Sequence, residues 1–291
     1  MVAGSEADAV ASAWGGAQGV EHGEGAFWDD EAQVFRYVDM LAGDLLTCGP
    51  EGTRRTHLGD VLALVRRRRA GGFVVAVERG FLLLDEDLRV DRSVTAFSDR
   101  SLRMNEGACD PAGRLFCGSM AYDARPGAGS VFRLDPDLSI HVALDGVTIP
   151  NGLLWTADGT RAYHADTGDD LVHVMAYDAV SGAFGERRPF LRFDDHAGSP
   201  DGMALDVEGG LWVASWGGGA VQRFDPDGRL TETIRLPVTR VTSCAFGGQS
   251  GRTLFITTSR VDVPTGTEPS AGQVHAIDVG VRGAPVHRFT G

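Results

Sequence analysis

The chain has 291 residues, of which 43% are hydrophobic, and its formal net charge at pH 7 is −13. This charge would repel nucleic acid and anionic membrane surfaces at long range, so neither is expected as a partner. Lysine is absent and all 27 basic residues are arginine, which excludes lysine Schiff-base chemistry and a Walker-type phosphate loop.

The N-terminal segment shows no sign of a secretory signal. "MVAGSEADAVASAW" (1–14) lacks a basic region followed by an apolar stretch, and no later segment is apolar over the length of a membrane span. We expect a soluble cytoplasmic protein, with residues 1–12 as a poorly ordered tail. The chain also has four cysteines without CxxC spacing, which we interpret as buried reduced thiols: Cys48, Cys109, Cys117 and Cys244.

A turn followed by a short apolar strand recurs six times along the chain. The first apolar strand residues of the copies are 38 to 49 residues apart: Phe35, Phe73, Leu115, Ala162, Leu211 and Leu254. A second hairpin follows, most clearly in "SVFRLDPDLSIHVAL" (130–144), where Asp-Pro-Asp supplies the turn. Repeats of this length with four strands each are typical of β-propeller blades.

We therefore predict an all-β fold, a six-bladed β-propeller with four antiparallel strands per blade, as a single domain over residues 1–291. The last copy begins only 37 residues before the C-terminus, so an N-terminal strand near "ASAWGGAQGV" (11–20) is expected to complete the sixth blade and close the ring. The run "RRRR" (66–69) is predicted to form a solvated turn between two apolar strands rather than a binding patch.

Aligning the copies places four oxygen-bearing side chains at one equivalent position. Asn151 and Asp201 lie 50 residues apart within matching Pro-x-Gly segments, and Asn105 and Glu24 occupy the same place in their copies, whereas Ala63 and Thr242 occupy it in the remaining two. This position begins the first strand of each copy. Because the first strand of a blade is the innermost, the four side chains are expected to meet at one mouth of the central channel.

The four side chains Glu24, Asn105, Asn151 and Asp201 are hard oxygen donors, which suit Ca²⁺, Mg²⁺ or Mn²⁺ better than Zn²⁺. Asparagine occurs only at positions 105 and 151 in the whole chain. A neutral amide beside two carboxylates avoids the mutual repulsion of four acids. The alternative is that each residue merely forms a turn, as Asn-Gly and Asp-Gly often do, but their common register favours a metal site.

The sequence resembles the SMP-30/gluconolactonase family, which includes regucalcin and sugar lactonases, over nearly its whole length. The segments that carry the resemblance are "GEGAFW" (23–28), "RMNEGACDPAGRLFCGSM" (103–120), "PNGLLWTADG" (150–159) and "SPDGMALDVEGGLWVASW" (199–216). The resemblance implies one divalent metal ion held by Glu24, Asn151 and Asp201, with Ca²⁺ expected first and Mg²⁺, Mn²⁺, Zn²⁺ or Fe²⁺ as alternatives. It implies further that Asn105 lies near metal-bound water or substrate, and that Arg103 and Asp123 contact substrate hydroxyls.

These features predict a metal-dependent lactonase that opens a gluconolactone-like aldonolactone with activated water, and Asp201 is also assigned the role of general base. The expected partner is a small-molecule sugar lactone, and the protein is expected to be a monomer or weak homo-oligomer. Two alternatives are a phosphotriester (organophosphate) hydrolase on the same site and a non-catalytic calcium-binding or interaction propeller. His164 and His196 are candidates for a proton relay, although a histidine without a catalytic role is favoured at each position.

Overall fold

Short runs of apolar and small residues alternate with turns rich in Asp and Gly, and each run forms a strand. The computed structural model describes residues 9–193 and 198–291, which contain 26 strands and two short 3-10 helices, Met40–Ala42 and Thr167–Asp169. None of the helices in the described residues is long and apolar enough to cross a membrane. All four cysteines are free and buried, as predicted.

The strands form six sheets in the described part of the chain. Two short strands come first, β1 (Ala9–Val10) and β2 (Ser12–Ala13). The first blade contains β3 (Gly23–Asp29), β4 (Val34–Asp39), β5 (Asp44–Gly49) and β6 (Gly52–His57). The second contains β7 (Leu62–Arg67), β8 (Phe73–Val77), β9 (Gly80–Leu84) and β10 (Val90–Thr95). The third contains β11 (Leu102–Cys109), β12 (Leu115–Ala121), β13 (Gly129–Leu134) and β14 (Ile140–Val147).

The remaining three sheets follow the same order along the chain. The fourth blade contains β15 (Pro150–Trp155), β16 (Arg161–Asp166), β17 (Leu171–Asp178), β18 (Ala183–Phe184) and β19 (Arg188–Arg192). The fifth contains β20 (Ser199–Leu205), β21 (Leu211–Trp216), β22 (Ala220–Phe224) and β23 (Leu230–Arg235). The sixth contains β24 (Val241–Gly247), β25 (Thr253–Thr258) and β26 (His275–Asp278).

The first strands of the six blades form a closed ring. Each of β3, β7, β11, β15 and β20 contacts the first strand of the next blade, and β24 contacts β3. Apolar side chains of neighbouring blades pack between the sheets, for example Trp212 of the fifth blade with Phe246 of the sixth. The structure confirms the predicted all-β, six-bladed propeller.

The N-terminal segment completes the sixth blade. Strand β2 pairs antiparallel with β26, and β1 pairs parallel with β23 at the outer edge of the fifth blade. The predicted tail lies outside the described residues at 1–8. Residues 9–12 belong largely to these two strands instead, because unpaired backbone groups at the blade edges provide hydrogen-bonding partners.

The prediction of a solvated turn at 66–69 was wrong for its first two residues. Arg66 and Arg67 end β7 and are buried. Arg67 Nε donates to Asp29 Oδ1 at 2.9 Å, and Asp29 also accepts from Arg36 Nε at 3.0 Å. A carboxylate of the neighbouring blade therefore compensates the charge of Arg67, and this long-range pairing is invisible in the local sequence.

Each innermost strand carries a bulge near its start. The pairing with the second strand shifts at one place in every blade: Glu24/Phe27, Leu62/Leu64, Met104/Gly107, Pro150/Leu153, Pro200/Met203 and Val241/Ser243. Each bulge contains or borders the position that the repeat alignment singled out. Since a bulge redirects side chains out of the regular alternation, the six bulges shape one end of the channel.

Residues 282–290, close to the C-terminus, cross the opposite end of the channel, and we call them the C-terminal strap. The Ala284 amide donates to the Leu205 carbonyl at 2.8 Å in the fifth blade. The Phe289 amide donates to the Arg67 carbonyl at 3.0 Å in the second blade, and the Phe289 side chain is fully buried. The strap thus connects blades that are not neighbours in the ring.

Candidate metal and substrate site

A cavity of about 210 Å³ opens where the innermost strands begin. Five of the six residues predicted for the site line this cavity: Glu24, Arg103, Asn105, Asn151 and Asp201. None of the five is more than 9% exposed. The register shared by the repeats therefore corresponds to a single place in the folded chain.

The sixth predicted residue, Asp123, lies elsewhere. Strand β12 ends at Ala121, and Asp123 follows in an exposed turn where its Oδ1 accepts from Arg125 Nη1 at 3.0 Å. It is not among the residues that line the cavity. The structure gives Asp123 a local partner in its own turn and no contact with the other five residues.

Two asparagines and an arginine form a chain of hydrogen bonds along one wall. Arg103 Nη1 donates to Asn105 Oδ1 at 2.7 Å, and Asn105 Nδ2 donates to Asn151 Oδ1 at 3.0 Å. An amide oxygen has two lone pairs, so Asn151 Oδ1 keeps one for a further partner. This arrangement needs an amide at position 105, because a carboxylate could accept from Arg103 but could not donate to Asn151.

The amide of Asn151 is anchored on its other side as well. Asn151 Nδ2 donates to Thr167 Oγ1 at 2.6 Å, and Thr167 Oγ1 donates to the Pro200 carbonyl at 2.6 Å. An aspartate at 151 would lose the first of these bonds, since a carboxylate has no N–H to donate. Aspartate therefore could not take the place of either asparagine in this hydrogen-bond network.

Three carboxylates converge within the same region. Glu24, Glu106 and Asp201 each offer an oxygen, and these oxygens lie within 4.8 Å of one another. Glu24 Oε2, Glu106 Oε2 and Asp201 Oδ1 are buried without a hydrogen-bond partner. Buried, unpaired carboxylate oxygens are costly, and an oxygen-preferring divalent cation would satisfy them. The donor set therefore fits the metal that the sequence analysis predicted.

The pKa values of these acids reflect the same crowding. Burial raises the pKa of Glu24 well above its ordinary range, and the charge of Glu106 adds to the effect. Burial, followed by the charge of Glu24, likewise raises the pKa of Asp201. Burial raises the pKa of Glu106 to about 7, while the nearby Arg66 opposes that rise. Together these shifts indicate a site that favours an added positive charge.

His22 forms part of the wall beside Glu24. Its Nδ1 lies 2.8 Å from Ser259 Oγ, and its Nε2 lies 3.8 Å from Glu24 Oε1. Burial and then the charge of Arg103 lower the pKa of His22 to about 4, so the imidazole is neutral near pH 7. The imidazole ring packs edge to face against the Trp216 ring, with 6.0 Å between the ring centroids. His22 is thus a neutral polar group at the cavity wall.

Sequence reasoning missed Glu106 and His22. In three aligned copies the residue after the site position is a glycine, Gly25, Gly152 or Gly202, whereas in the third blade it is Glu106. The acidic residue in place of glycine is the sequence feature that could have identified Glu106. His22 lies outside the repeat pattern, and only its position two residues before Glu24 could have indicated it.

His164, one of the two histidines considered for a proton relay, is not among the residues that line the cavity. His164 is buried in β16, beside His173 of β17, and burial lowers the pKa of His164 to about 4. His196 lies outside the described residues. His164 therefore belongs to the interior of the fourth blade.

The chain is similar to characterised proteins over most of its length. A model of the SMP-30/gluconolactonase/LRE-like region matches residues 22–260. Regucalcin of Danio rerio is 34% identical over 285 residues, which cover 93% of this chain and 95% of that protein. A pentonolactonase of Haloferax volcanii is 34% identical over 277 residues, which cover 91% of this chain and 94% of that protein. The crystal structure of a calcium-binding protein, regucalcin, from Agrobacterium tumefaciens superposes with a TM-score of 0.88 at 25% identity, covering 94% of this chain and 95% of that one.

Proposed function

The chain belongs to the SMP-30/gluconolactonase/LRE-like family, and from this premise we propose that it is a divalent-metal-dependent lactonase acting on a sugar-acid lactone. The observation that carries the proposal is that the unpaired carboxylate oxygens of Glu24 and Asp201 lie in one cavity with Asn151 and Arg103. The similarity to a pentonolactonase supports the reaction class. A gluconolactone-like aldonolactone is the substrate class we propose.

Glu24, Asn151 and Asp201 would hold the cation, and their oxygen donors make Ca²⁺ the first candidate, followed by Mg²⁺ and Mn²⁺. When bound there, a divalent ion supplies polarisation of the lactone carbonyl and a lower pKa for water. The cavity of about 210 Å³ is much larger than a lone cation needs, which supports a site that also admits a small molecule.

Asp201 is the proposed general base. Its carboxylate accepts a proton from the attacking water as the water oxygen bonds to the carbonyl carbon. The ring C–O bond then breaks, and the proton passes to the departing ring oxygen, so that a hydroxy acid is the only product. The Asp201 carboxylate has two oxygens, so one can hold the cation while the other accepts the proton.

Arg103 would stabilise the negative charge that develops on the carbonyl oxygen, or orient the sugar hydroxyls. Its guanidinium is fixed in place by Asn105 Oδ1 at 2.7 Å and by the Met104 carbonyl at 3.1 Å. A guanidinium held in this way loses little freedom when it donates to the substrate.

The test is acid release from a panel of aldonolactones, measured with metal-stripped protein before and after the addition of Ca²⁺, Mg²⁺, Mn²⁺, Zn²⁺ or Fe²⁺. We expect turnover to require an added ion and to be lost in Asp201→Ala and Asn151→Ala, while circular dichroism reports an intact fold. Hydrolysis of an organophosphate but of no lactone would favour the phosphotriesterase alternative. Binding of a cation without any turnover would favour the calcium-binding propeller.

A further inference from the structure

Glu106 extends across the central channel. It lies in the bulge of β11 in the third blade, and its Oε1 lies 3.4 Å from Ser243 Oγ, which donates to it from β24 in the sixth blade. The third and sixth blades are opposite each other in the ring of innermost strands. The Glu106 carboxylate must therefore lie close to the axis of the channel.

The three converging carboxylates come from alternate blades. Glu24 belongs to the first blade, Glu106 to the third and Asp201 to the fifth, so they approach the axis from three directions. Calcium binds oxygen ligands at about 2.3 to 2.6 Å, so two oxygens on one Ca²⁺ can be roughly 5.2 Å apart at most. The three oxygens lie within 4.8 Å of one another, and a single ion can contact all of them.

Only the third blade has room for a side chain at this position among the four aligned repeats with polar site residues. A Cβ atom on Gly152 would lie 2.5 Å from the Met203 side chain, and one on Gly202 would lie 2.4 Å from Ser243. A Cβ on Gly25 would lie 3.0 Å from the Ala63 carbonyl, in the left-handed region of its backbone. An acid at 106 is thus a local departure from the repeat, and it places a carboxylate beside those of Glu24 and Asp201.

The charge around Glu106 suits this position. Arg66 is buried nearby, its Nη2 donates to the Gly107 carbonyl at 3.0 Å, and its charge acts on Glu106. Three carboxylates, one divalent cation and Arg66 together have no net charge. The positive charge of Arg103 is then left to act on the substrate.

We propose that Glu106 is a third carboxylate ligand of the cation and that it approaches the ion from the third blade. This inference rests on the metal site of the proposed function and deepens it. The site would bind through three carboxylates and the Asn151 amide, in place of the two carboxylates and one amide that the family resemblance implies. A higher count of charged ligands raises affinity for calcium.

The test measures calcium binding by metal-stripped protein. Isothermal titration calorimetry and, independently, terbium luminescence report the affinity. We expect Glu106→Gln to weaken Ca²⁺ binding at least tenfold, comparably to Glu24→Gln, because the isosteric amide removes only charge. Glu106→Asp should weaken it as well, since the shorter side chain withdraws from the axis. The matched control is Glu186→Gln, which alters an exposed glutamate in the fourth blade and should bind calcium like the unmodified protein.

Circular dichroism and thermal unfolding of each metal-free variant establish that it is folded before it is titrated. Calcium affinity of Glu106→Gln within twofold of the unmodified protein, with a clear loss in Glu24→Gln, would overturn the role of Glu106 and leave the lactonase proposal intact. A Glu106-dependent calcium site in a protein that opens no lactone would support the inference and contradict the proposed function. No cation binding by the unmodified protein would overturn both.

Discussion

The two ends of the central channel are built from the same six strands but have opposite character. At one end the strands begin with Glu24, Asn105, Asn151 and Asp201 around a cavity of about 210 Å³. At the other end the same strands surround a cavity of about 90 Å³, lined mainly by apolar side chains such as Phe27, Cys109, Trp155 and Leu205. Only a few residues along each strand separate the acidic end from the apolar end.

This contrast shows how a repeated strand can serve both stability and chemistry. The bulge redirects the first residues of each strand toward the open cavity, and the residues after it resume apolar packing between blades. The apolar end keeps water away from one side of the carboxylates. Charges near a low-dielectric wall interact more strongly than they would in water, so a cation at the acidic end is held more firmly.

The largest expected effect comes from disrupting the acidic end. Asp201→Asn removes a charged ligand and the proposed base while preserving shape, so kcat/KM for the best lactone should fall on the order of 10³-fold. Steady-state acid release measures this loss. The control is Asp227→Asn in an exposed turn of the fifth blade, which should retain full activity. An Asp201→Asn variant within tenfold of the unmodified enzyme would contradict the assignment.

Disrupting the apolar end should instead cost stability. Trp155 is 5% exposed and packs against Phe116, Tyr177 and Phe184, so Trp155→Ala should lower the free energy of unfolding by about 3 kcal/mol. Chemical denaturation with calcium present in excess measures it. Calcium affinity should stay within about threefold of the original value. A large loss of affinity with little loss of stability would mean that the two ends are not separate in function.

Acidification should weaken cation binding at the acidic end. The pKa values of Glu24 and Asp201 are raised, and that of Glu106 is raised to about 7, so protons compete with the cation as the pH falls. Competition by one proton at a pKa near 7 should weaken calcium binding roughly tenfold between pH 8 and pH 6. Calorimetric titrations at several pH values measure this change, and uptake of protons on calcium binding would contradict it.

The smallest effect is expected from the hydrogen-bond network behind the ligands. Thr167→Ala removes the acceptor for Asn151 Nδ2 and the donor to the Pro200 carbonyl. Loss of this positioning should weaken calcium binding about fivefold, equivalent to roughly 1 kcal/mol. Thr167→Ser keeps the hydroxyl and should restore most of the affinity. Equal affinities for the Ala and Ser variants would show that the hydroxyl is not needed.

The sequence predicted the features that repeat. Six copies with a common register were enough to predict the six blades, and the equivalent positions of Glu24, Asn151 and Asp201 led to their expected convergence. Glu106 was missed because it departs from the glycine of the other copies. Arg67 was misplaced because its partner Asp29 is 38 residues away in the chain. The position of Asp123 could not be predicted because it depends on the conformation of the turn after β12.

The position of the C-terminal strap affects how substrate and product reach and leave the site. Residues 284–287 line the far cavity, so they cover the end of the channel that lies opposite the carboxylates. Within the part of the chain that the structure describes, the strap thus covers this end of the propeller axis. We expect a lactone to enter, and its hydroxy-acid product to leave, through the opposite opening beside Glu24, so that bound product competes with the next substrate.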